Sequence, residues 1–233
     1  MYIMITQRQE KLLNTIIQEY VDSAEPVSSQ VLQKKHDFGI CPATIRIEMQ
    51  KLTDQGFLCQ PHTSAGRVPT DKGYRFFVDN LLKKEFEDFE MGDWLKEESG
   101  DEIKFIQALT KDLARLSGAL ALSYLEKESV LWREGWEDIL REPEFGEKDF
   151  VVNFAKFLEN FENNIEDFEI DSGINVYIGK ENPFKKAKDF TLISCRCRLP
   201  KERGIVSLVG PKRMAYDKNI SLINSLVRVM EDF

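Results

Sequence analysis

Histidine, metal-type cysteine spacing and long apolar runs are what this sequence has least of, and each shortage excludes something. The 233 residues include two histidines, His36 and His62, so few side chains titrate near neutral pH for acid–base chemistry or metal ligation. Four cysteines stand at 41, 59, 195 and 197 without Cys-x-x-Cys spacing, which excludes a zinc ribbon, a redox motif and a disulfide framework. No apolar run approaches the ~18 residues of a membrane-spanning helix. The first residues carry Arg8, Glu10 and Lys11 within an amphipathic pattern, unlike a signal peptide, so a cytoplasmic protein with no membrane contact is expected. No glycine pattern forms a phosphate loop, and no Ser/His/Asp or Cys/His set stands out. An enzyme is disfavoured, and no cofactor, metal or catalytic residue is expected. What remains, 42% hydrophobic and 31% charged with only 13 Gly and 8 Pro, is an ordinary globular composition.

The net charge of −8 argues against a nucleic-acid binder only if it is averaged over the chain. Residues 1–84 hold 11 basic against 9 acidic residues, residues 85–170 hold 9 against 24, and residues 171–233 hold 12 against 7. The acidic middle reads as solvated helix faces, and it lacks the Asp-x-Asp-x-Asp-Gly spacing of a calcium loop. Its start marks a boundary. A first domain is expected over 1–82, an acidic connector over 83–102 and a second domain over 103–233.

The first domain reads as helices followed by a wing. Thr6 to Gln9 fits a capping box, and Leu12, Leu13, Ile16, Ile17, Tyr20 and Val21 recur at helical spacing. Ser28 or Ser29 can cap a short second helix, and Asp37-Phe-Gly39 supplies a turn. Pro42 then sits at the favoured first position of a third helix, with Ile45, Met49 and Leu52 inward and Gly56 placed to stop it. Phe57 to Gln60, a polar turn and Arg67-Val68 read as a hairpin, and Thr70 caps a last helix. Helix-turn-helix plus hairpin is a winged helix.

On the third helix Ile47 and Gln50 point outward, with Thr44, Arg46 and Lys51 on the flanks. Arg46 and Lys51 can reach phosphate or a guanine edge, Gln50 can pair with adenine, and Ile47 offers apolar contact to a thymine methyl. Arg67, beside a small wing tip, suits a narrow minor groove. The candidate DNA contacts are Ser28, Ser29, Thr44, Arg46, Ile47, Gln50, Lys51, His62, Thr63, Ser64 and Arg67. The same residues are also compatible with a solvated helix and ordinary turn chemistry.

In the second domain Ile103, Ile106, Leu109, Leu113 and Leu116 predict a long helix over 101–122, packed on the core or across a dimer axis. Residues 131–145 read as an aromatic packing cluster holding a loop. A helix over 150–168, a strand at 174–178, a hairpin from Phe190 to Val209 and a last helix over 220–230 follow. Cys195 and Cys197 share a strand face and read as buried thiols. Gly179 to Asn182 and Gly210 to Arg213 read as corners rather than a ligand pocket.

Ala43-Thr-Ile-Arg46, the run Gln60-Pro-His-Thr-Ser-Ala-Gly-Arg-Val-Pro-Thr-Asp-Lys-Gly-Tyr-Arg75, Ile178 to Asn182 and Gly210 to Met214 with Tyr216 together resemble the HrcA family of bacterial heat-shock repressors. The resemblance implies an α+β chain with an N-terminal winged helix-turn-helix domain and a GAF-like α/β domain, here shortened. It also implies a homodimer on an inverted-repeat operator of chaperone operons, kept active by the GroEL chaperonin and released on heating. Two departures stand out. Ile47 occupies a position where that family usually has Asn, and the chain is shorter than usual between Leu82 and Asp171. A ligand-gated repressor sensing a small molecule through the GAF-like domain, and a winged-helix protein-interaction module, are the alternatives.

Overall fold

The computed structural model describes residues 5–84, 86, 89, 102–198 and 202–231. The chain divides into two compact units, Met1–Lys83 and Lys84–Phe233. The acidic connector expected over 83–102 lies almost wholly outside the described residues.

In the first unit, α1 (Gln7–Ser23) opens on a reciprocal cap: Thr6 Oγ1 accepts from the Gln9 amide at 3.3 Å, and Gln9 Oε1 accepts from the Thr6 amide at 3.0 Å. Leu12, Leu13, Ile16 and Ile17 are fully buried on one stripe, each contributing roughly 1.5–3 kcal/mol by leaving water. The cap of α2 (Ser29–Lys35) is Ser28, whose hydroxyl accepts from the Val31 amide at 3.2 Å; Ser29 lies inside the helix and is buried. The next helix, α3 (Pro42–Asp54), starts on its proline and buries Ile45, Met49 and Leu52. Gly56, at φ +77°, turns the chain after it.

Strands β1 (Leu58–Cys59) and β2 (Val68–Pro69) then pair antiparallel, and Thr70 caps α4 (Asp71–Leu81). The wing is short but anchored. Arg67 and Val27 exchange backbone hydrogen bonds of 2.8 and 2.9 Å, tying the wing to the segment before α2. This approach requires glycine next door, because a Cβ on Gly66 would lie 2.4 Å from the Val27 carbonyl oxygen. Three helices and an anchored hairpin make a winged helix-turn-helix.

The second unit is built on a five-stranded sheet. Its elements are α5 (Glu102–Ser117), β3 (Leu120–Leu125), β4 (Val130–Glu134), α6 (Trp136–Ile139), α7 (Lys148–Asn164), β5 (Ile174–Ile178), β6 (Phe190–Arg198), β7 (Arg203–Pro211) and α8 (Tyr216–Glu231). The strand order is β4-β3-β7-β6-β5, with every neighbour antiparallel. Alternate residues of β3 face opposite ways. Ser123 faces α5, where its hydroxyl accepts from Thr110 Oγ1 at 2.8 Å. Leu120, Leu122 and Tyr124 face an aromatic layer of Phe154, Phe157, Phe161, Phe168, Phe184 and Phe190. Both faces are covered, and the α+β class stands.

Two expectations are corrected here. The helix predicted over 101–122 ends at Ser117, where Gly118 takes φ +70°, and the residues beyond it form β3. The supposed loop over 131–145 holds β4, α6 and a 3-10 turn at Pro143–Gly146. The β3–β4 hairpin therefore adds two strands that the sequence pattern had hidden.

The two polar motifs of this unit are corners. Asn182 Nδ2 donates to the carbonyls of Tyr177, Gly179 and Phe190 at 3.0–3.2 Å, closing the turn after β5. The Arg213 side chain is only 8% exposed; its guanidinium meets Glu144 at 2.7 and 2.9 Å and also bonds Glu142. Burial works against its charge, but the two carboxylates prevail and raise its pKa. Cys195 and Cys197 are buried free thiols; Cys197 beside it and burial raise the Cys195 pKa well above the ordinary thiol value.

Candidate nucleic-acid interface

A cleft of about 410 Å³ opens in the first unit between the start of α2, one side of α3 and the wing. Six of the eleven expected contact residues line it: Ser28, Ser29, Arg46, Thr63, Ser64 and Arg67. Ser28 is occupied as a helix cap and Ser29 is buried, so the first offers only its remaining hydrogen-bonding capacity and the second very little surface. Arg46 stands exposed at the rim. At the wing tip His62 Nδ1 lies 3.2 Å from Ser64 Oγ, an arrangement of the turn itself.

Gln60 also lines the cleft, and sequence reasoning missed it. Its Nε2 donates to the carbonyls of Thr63 at 2.9 Å and Ala65 at 3.0 Å, so it holds the wing turn in shape. The sequence signal was available, because a lone amide side chain entering a tight polar turn is a common satisfier of turn carbonyls.

The remaining expected contacts sit on α3. Ile47 is 56% exposed, an outward large apolar side chain on a helix that buries Ile45, Met49 and Leu52. Thr44 Oγ1 lies 3.3 Å from Cys41 Sγ at the start of the helix, and that hydrogen bond is the main cause lowering the Cys41 thiol pKa. Lys51 takes the other flank, where its ammonium donates to Glu48 at 2.9 Å; Glu48 also accepts from Gln9 Nε2 at 2.9 Å. The Lys51 bond is the largest cause lowering the Glu48 pKa, against a desolvation contribution that raises it. Lys51 is thus paired with Glu48 and does not line the cleft.

Arg67 departs most from expectation. Its side chain does not project from the wing but lies along α3, with Nε donating to Thr53 Oγ1 and Nη2 to Gln50 Oε1, each at 3.0 Å. The Gln50 amide in turn donates from Nε2 to Asp54 Oδ1 at 2.7 Å. The reason is reach: the bridge to Val27 fixes the Arg67 backbone, and from there the guanidinium meets acceptors on Thr53 and Gln50 of α3.

The sequence model described as HrcA protein C terminal domain matches residues 71–220. A heat-inducible transcription repressor HrcA from Natranaerobius thermophilus is 30% identical over 319 aligned positions, covering 93% of each chain. The chain belongs to the HrcA family. That aligned span is longer than the 233 residues here, so the N. thermophilus HrcA carries residues with no counterpart in this shortened member. An HrcA repressor from Alkaliphilus metalliredigens is 54% identical over 83 residues, covering 36% of this chain and 24% of its own. A crystal structure of a hypothetical protein at 2.2 Å resolution superposes with a TM-score of 0.81 at 22% identity, covering 98% of this chain and 97% of that one, which establishes a shared fold. Among the described residues no helix is long and apolar enough to cross a membrane, and no group of three or more His, Cys, Asp or Glu could hold a metal ion.

Proposed function

We propose that this chain is a sequence-specific repressor of heat-shock chaperone operons that binds an inverted-repeat operator as a homodimer in the bacterial cytoplasm. The first unit reads the DNA. The observation that carries this reading is the juxtaposition of α3, with Ile47 and Gln50 on its outward face, and a cleft lined by Arg46, hydroxyl side chains and the wing turn. A helix of this size enters a major groove, and hydroxyl and guanidinium groups beside it are the usual phosphate contacts. Family membership and relatives named as heat-inducible repressors support the same reading.

The second, GAF-like unit is assigned to pairing the two copies and to communication with the GroEL chaperonin. It has no catalytic role. The two-fold symmetry of an inverted repeat calls for two copies. With a modest surplus of basic residues over 1–84, few phosphate contacts are available, so affinity depends on both half-sites being engaged together.

The test is a titration of the full chain against an inverted-repeat chaperone-promoter duplex and a scrambled duplex at physiological salt, with the mass of the complex measured in parallel. Tight binding to the first duplex alone by two copies is expected. Equal weak binding to both would overturn the reading. Repeating the titration with GroEL and on heating tests the regulatory part: binding should strengthen with the former and fall with the latter.

A further inference from the structure

We infer that Arg67 is a positioning residue that fixes the amide of Gln50 for adenine, rather than a side chain inserted into a groove. The inference rests on the operator reading above and adds to it the base selected opposite Gln50.

The hydrogen bonds form one directed chain. Thr53 Oγ1 donates to the Met49 carbonyl at 2.9 Å and accepts from Arg67 Nε at 3.0 Å. Arg67 Nη2 donates to Gln50 Oε1 at 3.0 Å, and Gln50 Nε2 donates to Asp54 Oδ1 at 2.7 Å. A guanidinium can only donate and a carboxylate oxygen here accepts, so the two ends determine which Gln50 atom is oxygen and which is nitrogen. The amide cannot turn over without losing both bonds. One acceptor site and one N–H of Gln50 remain, the pair that adenine requires at its N6 amino group and N7. Guanine presents two acceptors on that edge and finds one donor.

A second observation is independent of the chain's direction. Asp54 stands in the last turn of α3, at the negative end of the helix dipole, on the surface that the operator reading turns toward DNA. A carboxylate is unfavourable there on both counts. Residues that break a local rule mark functional constraints, and the contact Asp54 makes is with Gln50. The origin of the Arg67 side chain is equally fixed, since its backbone exchanges two hydrogen bonds with Val27.

The experiment is selection from a random duplex library by the full chain and its variants Gln50→Ala, Arg67→Met, the double variant and Asp54→Ala, with bound duplexes sequenced. Gln50→Ala and Arg67→Met are expected to lose an adenine preference at the same base pair of each half-site, by roughly tenfold or more, and the double variant to lose no more than either. Asp54→Ala, an exposed substitution that leaves the fold intact, should bind all duplexes more tightly while discriminating less at that pair, a split that general destabilisation does not produce. If Arg67→Met keeps that preference and instead flattens A·T preference at flanking positions, the side chain reads the minor groove and the inference is overturned. Should the parent chain select no sequence at all, the operator reading fails. The NMR order parameter of the Gln50 Nε2 group in the unbound protein then decides the positioning role alone: an ordered group made mobile by Arg67→Met supports it, and equal mobility in both proteins refutes it.

Discussion

Apart from the buried Gln9–Glu48 pair of the first unit, the two units use polar side chains in opposite ways. In the first, Arg67, Gln50 and Asp54 form their hydrogen bonds at the surface, beside a cleft open to solvent. In the second, polar groups are paired inside: Thr110 with Ser123 at 2.8 Å, Ser194 with Ser207 at 2.7 Å, and Arg213 with two glutamates. An internal pair is sealed from any ligand by burial and serves to specify packing. A surface chain keeps free edges that a partner can use. The polar motifs near residues 179 and 210 are therefore architectural, while those of residues 44–67 face outward.

The contrast can be broken most severely in the aromatic layer. Phe157 is fully buried, stacked on Phe190 with ring centres 5.5 Å apart and planes 10° from parallel. Phe157→Ala should cost the second unit about 3–5 kcal/mol. Denaturant unfolding monitored separately in each unit should show the loss in the second and leave the first unchanged; a loss shared by both would contradict their independence as cores.

A smaller effect is expected at the wing anchor. Gly66→Ala places a methyl group 2.4 Å from the Val27 carbonyl oxygen, a backbone atom that cannot swing aside. The first unit should lose about 1–3 kcal/mol through displaced packing, with duplex binding weakened because the Val27–Arg67 bridge parts. A thermal melt identical to that of the parent chain would show that the wing base is looser than its contacts indicate.

The smallest effect concerns acid. The Glu48 carboxyl is held below its ordinary value of 4.5, first by the Lys51 hydrogen bond, then by Gln9 and nearby positive charge, against desolvation. A carboxylate with a lowered folded pKa stabilises the fold above its unfolded value, and that contribution disappears as pH falls through the lowered one. The first unit should therefore weaken below about pH 4.5, and Glu48→Gln should flatten that part of the profile. An unaltered acid limb in Glu48→Gln would assign the loss to other groups, Glu19 foremost, which is also lowered, chiefly by Lys35.

Much of the first unit was legible because its boundaries are local. Thr6, Pro42, Gly56 and Thr70 each act on neighbours within a few residues, and each stands where its chemistry directs. The β3–β4 hairpin was hidden for the opposite reason. Leu120–Leu125 is buried on both faces, so no polar alternation separates it from the apolar stripe of α5, and the stop at Gly118 was the one signal available. The course of the Arg67 side chain could not be read at all from spacing. It depends on how near the wing base lies to the last turn of α3, a distance set by the bridge to Val27.

The hydrogen bond from Arg67 to Gln50 has an evolutionary consequence. Gln50 and Arg67 are 17 positions apart in sequence, yet a single hydrogen bond joins their side chains. Drift at either codon alone leaves the other side chain without its counterpart. New operator preferences in such a lineage should arise by paired substitutions, and alignments of its members should show the two columns changing together.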